Sequence, residues 1–382
     1  MGRPDAPVVP RPRLQGRHPD GGRLGVPFKD GRHTGEIRLV VKLPVIAARS
    51  ARLLPAQTDL TNRLAGDLAD ARRLVSRRFK DDRYRQALRE QILTPESPLL
   101  LGLRLLEAHL GAKAFAVLPV EMGGLNTAVA AILAALADIP FVDGDSIGRA
   151  KPELEMGSYT LRGLPLAPMA LCDVWGNRAL VIQTQSFKSA EQIARALAVV
   201  GGGTVTVRCP VRGRDLRQMV VGGTVTRAMA IGKALRQARS RGEDPVAAQI
   251  RAAGGTRLFE GVLSRLTWED RGGFMWGEYW LAGTGDDRDH SLRIWLKNEN
   301  EISWLDEKPF VVTPDLLCAV EAKTGQPFTN SSLREGLEMV VFGVPADPMW
   351  RTPEGLALTG PKHFDFDLPY RPMEEIVGGR RS

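Results

Sequence analysis

Apolar residues recur at helical spacing in LLLGLRLLEAHLGA, from Leu99, and the run ends at Gly111, a plausible helix stop. KAFAVLPV (113–120) follows as a buried strand and EMGG as a turn. Next comes TAVAAILAALAD, an almost wholly apolar helix that Asn126 or Thr127 can cap, and then IPFV (139–142), a second buried strand. Strand, helix and strand within about thirty residues make a βαβ unit, whose two strands run parallel.

Beyond residue 160 the pattern shifts towards strands. ALVIQTQ and TVTVRCP (204–210) flank the helical SAEQIARALAVV, and TRAMAIGKALRQAR (226–239) is a further amphipathic helix. LFEGVLSRLTWEDRGGFMWGEYWLAG alternates on both sides of Gly272-Gly273, which predicts a hairpin. LRIWLKNENEISW and MVVFGVP continue in the same style, and Asn298, Glu299 and Glu301 read as a strand-end turn. Residues 1–37, rich in Pro, Arg and Gly without apolar periodicity, predict an irregular or disordered arm.

The βαβ reading puts Glu121 and Asp143 just past two parallel strand ends, at the sheet edge where open α/β sheets bind ligands. Glu121, Asp143, Asp145, Glu153 and Glu155 offer oxygen ligands for a divalent metal, or a general base among neighbouring carboxylates. Gly123-Gly124 and Asn126, at a helix N-terminus, offer donors to an anionic or carbonyl oxygen. Arg149 offers a bidentate grip on a substrate carboxylate. The same residues also fit a plain Asp-Gly-Asp turn with Arg149 as its ion-pair partner. His363, among aromatics and carboxylates in GPKHFDFDLPY, is a further site candidate, whereas His109 on its amphipathic helix reads as structural. Gly201 to Gly203 read as a flexible turn, and the chain has no Gly-x-Ser-x-Gly elbow.

Charge changes the picture at one end only. The net charge is +8, yet residues 1–90 hold 20 Lys and Arg against 10 Asp and Glu, so the rest of the chain is slightly acidic. ARRLVSRRFKDDRYRQALRE (71–90) fits a solvated helix face or a phosphate-binding patch; without aromatic interleaving, nucleic-acid binding is the weaker reading. The run Ala128–Ala137 is about half the length of a membrane span, and residues 1–30 hold no signal-peptide core, so a cytoplasmic protein is expected. Cys172, Cys209 and Cys318 are odd in number and far apart, which suits buried thiols better than disulfides or a thiolate zinc site.

VLPVEMGGLNTAVAAILAALADIPFVDGDSIGRAKPELEM resembles the signature of the S-methyl-thiohydantoin desulfurase family, a former domain of unknown function associated with hydantoinase/oxoprolinase genes. GGTVTRAMAIGKALRQAR, LKNENEISW, VTPDLLCAVEAKTGQP and WRTPEGLALTGPKHFDFDLPY continue the likeness in the family's order, so that it spans roughly residues 97–375. The resemblance implies an α/β N-terminal domain over 97–168, with a mainly parallel sheet, and a β-rich (α+β) domain over 169–375, before a tail at 376–382. It implies a desulfurase that replaces ring sulfur by oxygen in a thiohydantoin or hydantoin-type ring. A non-catalytic partner of a hydantoinase/oxoprolinase enzyme is the alternative. For the desulfurase reading, chemistry and place in the motif, which the family alone does not fix, make Asp143 and Asp145 metal ligands or base, with Glu121 as helper and Zn, Mn or Mg as the metal. Gly123, Gly124, Asn126, Arg149 and His363 bind substrate, and a homo-oligomer is expected. Residues 1–96 lack the family's run of three or four glycines and its Gly-Ala-Pro turn. That segment is either divergent or the product of a reading-frame error, which bears on activity.

Overall fold

The computed structural model describes residues 82–378. The basic arm, most of the 71–90 patch and most of the atypical 1–96 segment lie outside the described residues. Helices α1 (Asp82–Gln91), α2 (Pro98–Leu110) and α3 (Asn126–Ala137) bury Tyr84, Leu88, Leu99, Leu103, Ile132 and Leu133 in one cluster. Pro98 opens α2, and Gly111, at φ 63°, closes it in the left-handed conformation that glycine tolerates best. After β1 (Gly144–Asp145) and the short α4 (Ser158–Leu161) come β2 (Met169–Cys172), β3 (Arg178–Val181), α5 (Phe187–Gly201) and β4 (Val205–Arg208). The order β3-β2-β4 makes a three-stranded antiparallel sheet, with α5 crossing between the outer strands. Gly102 lets α2 lie close on that sheet, because a Cβ there would come within 3.2 Å of Val207 Cγ2.

A mainly parallel sheet, expected from the βαβ reading, is not formed. Segments 113–120 and 139–142 do run parallel, but they meet in one isolated bridge, Val117 with Phe141. Val117 N donates to Pro140 O and Val142 N to Val117 O, both at 2.9 Å. Pro119 and Pro140 have no N–H to extend a ladder on either side, which limits the pairing to that bridge. β1 pairs instead antiparallel with β5 (Val221–Gly222), which follows the short α6 (Gly213–Leu216).

Helices α7 (Thr224–Arg241) and α8 (Pro245–Ala253) lead into the β-rich half. There β6 (Thr256–Arg271), β7 (Phe274–Gly283), β8 (Ser291–Lys297), β9 (Glu299–Leu305), β10 (Lys308–Val312), β11 (Leu316–Glu321) and β12 (Glu338–Val344) form an antiparallel sheet. Its order is β10-β9-β8-β7-β6-β12-β11. Alternation puts Phe259, Leu263, Tyr279, Leu281, Leu292, Ile294, Met339 and Val341 on one buried face, each large side chain contributing about 2 kcal/mol by burial. The sheet curls, so that Asn300 Nδ2 on β9 reaches Leu317 O on β11 at 3.2 Å. α9 (Pro353–Thr359) and α10 (Met373–Gly378) complete the described chain. Among the described residues no helix is long and apolar enough to cross a membrane.

Arg149 joins the acidic loop to this sheet. Its Nη1 donates to Thr313 Oγ1 at 2.9 Å and Pro314 O at 3.2 Å, and its Nη2 to Asn300 O at 3.2 Å and Glu301 Oε2 at 3.0 Å. Nε donates to Ala150 O at 3.0 Å, which brings all five guanidinium N–H groups into use. Arg149 is 6% exposed and Glu301 0%. Burial raises the Glu301 pKa, opposed chiefly by the Arg149 charge. Removing one partner leaves the other charged and buried, so Arg149→Met or Glu301→Gln should each lower stability by about 3–5 kcal/mol. Urea unfolding should show the double variant less destabilised than the sum of the singles; strict additivity would mean that the pair is not coupled.

Candidate active site

Within the loop from Glu121 to Met156, most charges hold the chain. Glu121 Oε1 accepts from Asn126 Nδ2 at 2.5 Å and Oε2 from Lys151 N at 2.7 Å, which ties the Gly123-Gly124 turn to the loop. Asn126 is therefore Glu121's donor, and the helix cap position falls on Leu125. A Cβ on Gly123 would lie 3.1 Å from Glu121 Oε1, whereas one on Gly124 would meet nothing within 4 Å. Asp143 caps α7 from outside the helix: Oδ1 accepts from Thr226 N at 2.9 Å and Oδ2 from Thr226 Oγ1 at 2.6 Å. Asp145 Oδ1 accepts from Ile147 N at 2.7 Å and Gly148 N at 2.6 Å, the bonds of an Asx turn. Its Oδ2 is buried without a partner, and burial raises its pKa against those backbone donors and the nearby Thr224 hydroxyl.

Glu121, Asp143 and Asp145 are thus not gathered into one ligand set, and Arg149 has no donor left for a substrate carboxylate. His363 is brought to the loop, but against a different partner. Its Nε2 lies 3.1 Å from Glu153 Oε2, across 210 residues of sequence. Glu153, Glu155 and His363 each place one ligand atom within 4.8 Å of the others, which among the described residues is the group able to hold a metal ion.

That group sits where the loop meets one end of the β-sheet, a junction termed the crevice. Lys297, the last residue of β8, forms an ion pair with Glu153. The Lys297 ammonium lies 4.5 Å from the Phe274 ring centroid and 4.6 Å from that of Trp276. Trp276, Trp295 and Phe364 continue the wall edge to face, with centroids 5.8 and 5.7 Å apart. The β6–β7 hairpin supplies Phe274 and Trp276, and Arg195 of α5 fixes its tip: Nη1 donates to Gly273 O at 2.8 Å, Nη2 to Pro152 O at 2.9 Å, and the guanidinium stacks 3.4 Å over Phe274. Pro152, Glu153 and Leu154 are thereby held at the crevice, with Leu154 N donating to Glu191 Oε2 at 2.5 Å.

The two glutamates are driven apart in ionisation. Burial pushes Glu153 up, but hydrogen bonds and charge from His363 and Lys297 outweigh it and hold the carboxyl at about 2. Glu155 is raised, first by burial and then by the negative charge of Glu153. Two carboxyls beside an imidazole thus have pKa values shifted in opposite directions by their surroundings. Glu153 and Glu155 are among the loop acids that composition singles out, whereas Lys297 and Arg195 have only weak signals in sequence, Lys297 merely closing an alternating strand.

The fold and crevice define a protein with a small antiparallel α/β part and a β-rich part, with acid–base groups at their junction. Two sequence models of one family match it: "S-Me-THD-like, N-terminal domain" over residues 87–183 and "S-Me-THD-like, C-terminal domain" over 185–373. The chain belongs to this S-Me-THD-like family, that of the S-methyl-thiohydantoin desulfurases, which relates it to thiohydantoin chemistry. Its fold is similar to the crystal structure of a protein from Chromobacterium violaceum, at 21% identity and a TM-score of 0.60, over 73% of this chain and 80% of that one. Among curated proteins no relative is matched.

Two outcomes test this division of labour. Asp143→Ala should lower stability by about 1 kcal/mol through loss of the α7 cap, with Asp143→Asn costing less; thermal unfolding measures both. Glu153 has a depressed folded-state pKa, so its stabilisation is complete above 4.5 and is lost as pH falls from there towards about 2. In Glu153→Gln the stability should therefore vary less steeply over that acid range, and an unchanged slope would show that His363 and Lys297 do not hold the carboxylate.

Proposed function

We propose that this chain replaces ring sulfur by oxygen in a thiohydantoin-type ring, and that the crevice at Glu153, Glu155 and His363 performs the step. The observation that carries the reading is the pair of carboxyls with opposed ionisation beside His363, walled by Phe274, Trp276, Trp295 and Phe364. A planar ring stacks on aromatic walls of this kind. Its carbon between two nitrogens, doubly bonded to sulfur or bearing an S-methyl group, is electrophilic, and sulfur leaves more readily than nitrogen once water adds.

In this mechanism Glu153 accepts from His363 Nε2 and fixes the imidazole with Nδ1 free as acceptor. Water adds to the ring carbon and yields its proton to Nδ1. Glu155, whose pKa burial and the Glu153 charge raise, acts as general acid: in its protonated form it gives a proton to sulfur as the C–S bond breaks, and the resulting carboxylate takes up the remaining hydroxyl proton. Sulfide leaves a thiohydantoin, or methanethiol an S-methyl derivative, and the carbon becomes a carbonyl. Lys297 keeps Glu153 ionised throughout.

A second reading concerns a metal. Two carboxylates and an imidazole suit Zn, Mn or Mg, so Glu153, Glu155 and His363 are the residues that would hold a divalent ion, in place of Glu121, Asp143 and Asp145. Such an ion lowers the pKa of bound water. Lys297 already faces Glu153, so binding requires its ammonium to move aside, and Lys297→Met should then raise metal affinity in calorimetric titration. For the reaction itself, sulfide release from a thiohydantoin by the purified chain should fall about 10²–10⁴-fold in His363→Ala and in Glu155→Gln. Release at the uncatalysed rate by the parent protein would overturn the enzymatic reading and favour a non-catalytic partner of a hydantoinase/oxoprolinase enzyme.

A further inference from the structure

A second concavity lies away from the crevice. It is a cavity of about 180 Å³ between the Ile147–Gly148 backbone, β5, the start of β11 and the segment from Pro345 to Trp350. Val221, Leu316, Pro345 and Trp350 form apolar walls, and Arg227 and Asp347 bring opposite charges to the lining, while Arg149, also there, is paired with Glu301. Ile147, Met156, Trp350 and Phe364 pack into one cluster that separates this cavity from the crevice.

The lining specifies a ligand. A cavity of about 150 Å³ holds one benzene, so this one accommodates a single five- or six-membered ring with a short polar substituent. Arg227, in the first turns of α7, is exposed and has no ion-pair or hydrogen-bond partner among the described residues. Its planar N–H donors suit a carboxylate. Asp347 uses Oδ1 to accept from Met349 N at 3.0 Å, which leaves Oδ2 as an acceptor for N–H. A ligand with a carboxylate alone would be attracted by Arg227 and repelled by Asp347. One that also carries N–H donors satisfies both. The Trp350 indole N–H is bonded to Ile147 O at 2.7 Å, so that wall offers its ring and no donor.

We propose that this cavity is a small-molecule site for a ring-sized amino or imino acid, its carboxylate paired with Arg227, its N–H donors with Asp347 and its ring against the apolar walls. The site is independent of the chemistry proposed for the crevice.

Calorimetric titration with L-proline and L-pipecolate tests it, with cyclopentanecarboxylate and pyrrolidine as ligands that each lack one polar half. A ligand of about eight non-hydrogen atoms should saturate the protein with a Kd near 1 mM. Arg227→Ala, on an exposed helix position, should weaken proline binding about tenfold or more. Asp347→Asn, which keeps an acceptor for Met349 N, should narrow the preference for proline over cyclopentanecarboxylate. Glu153→Gln should leave proline binding unchanged. Failure of both imino acids to saturate the protein, or equal affinity in Arg227→Ala, would overturn the proposal, as would binding that is lost in Glu153→Gln and kept in Arg227→Ala.

Discussion

The buried Arg149–Glu301 pair constrains everything around it, because a guanidinium with five internal acceptors fixes both the direction and the depth of the loop that carries it. An ammonium could not do the same, having three donors and no planar fork. Four of the five acceptors come from β9 and the turn before β11, so the loop can be held in place only once the sheet has curled far enough to bring those strands together. Thr313 reinforces this coupling, since its hydroxyl accepts from Arg149 and donates to Thr359 O at 2.8 Å on α9. The position of Glu153, four residues beyond Arg149, follows from that anchorage.

The charged stretch after Phe141 divides its acidic residues by the partners that the fold brings to them. Asp143 meets the start of α7, Asp145 meets its own backbone, and Glu153 meets Lys297 and His363. The first two are turn and cap residues. The third is drawn into an electrostatic arrangement whose components, Lys297 and His363, are distant in sequence. The Glu155 pKa is raised, first by burial and then by its neighbour Glu153, which is already stabilised as an anion.

Much of the architecture could be read in the sequence. The periodic run from Leu99 and its stop at Gly111, the helix around 226–239, and the hairpin turning at Gly272-Gly273 all show periods that packing preserves. The β2 strand was missed because its four residues are too short for any period to show, and its turn is set by Asp173 Oδ1 accepting from Trp175 N and Asn177 N at 2.9 Å. The parallel sheet failed on local chemistry, since Pro119 and Pro140 stop a ladder that the apolar pattern invites. Asn298, Glu299 and Glu301 suggest a strand-end turn, yet of these only Asn298, at φ 59°, turns; Glu299 to Leu305 form β9, buried from Asn300 to Trp304, and Glu301 is fully buried. The candidate site was legible in part. Its loop and His363 stood out by composition, but which carboxylates matter depends on a lysine 144 residues away from Glu153.

A wall built from the β6–β7 hairpin connects this electrostatics to recognition. Phe274 and Trp276 lie beside Lys297 only while the hairpin tip is held, and Arg195 holds it by bonding Gly273 O and Pro152 O together. One guanidinium thus binds the aromatic wall to the backbone next to Glu153. The placement of the aromatic wall relative to Glu153 is therefore tied to a side chain from α5, itself ion-paired with Glu191 one helical turn earlier. On the proposed reaction such anchoring matters, since a displacement of about 1 Å between reacting groups lowers rates about 10²-fold. The crevice owes its precision to arginines that touch no reacting atom: Arg149 sets the depth of the loop, and Arg195 sets the wall against it.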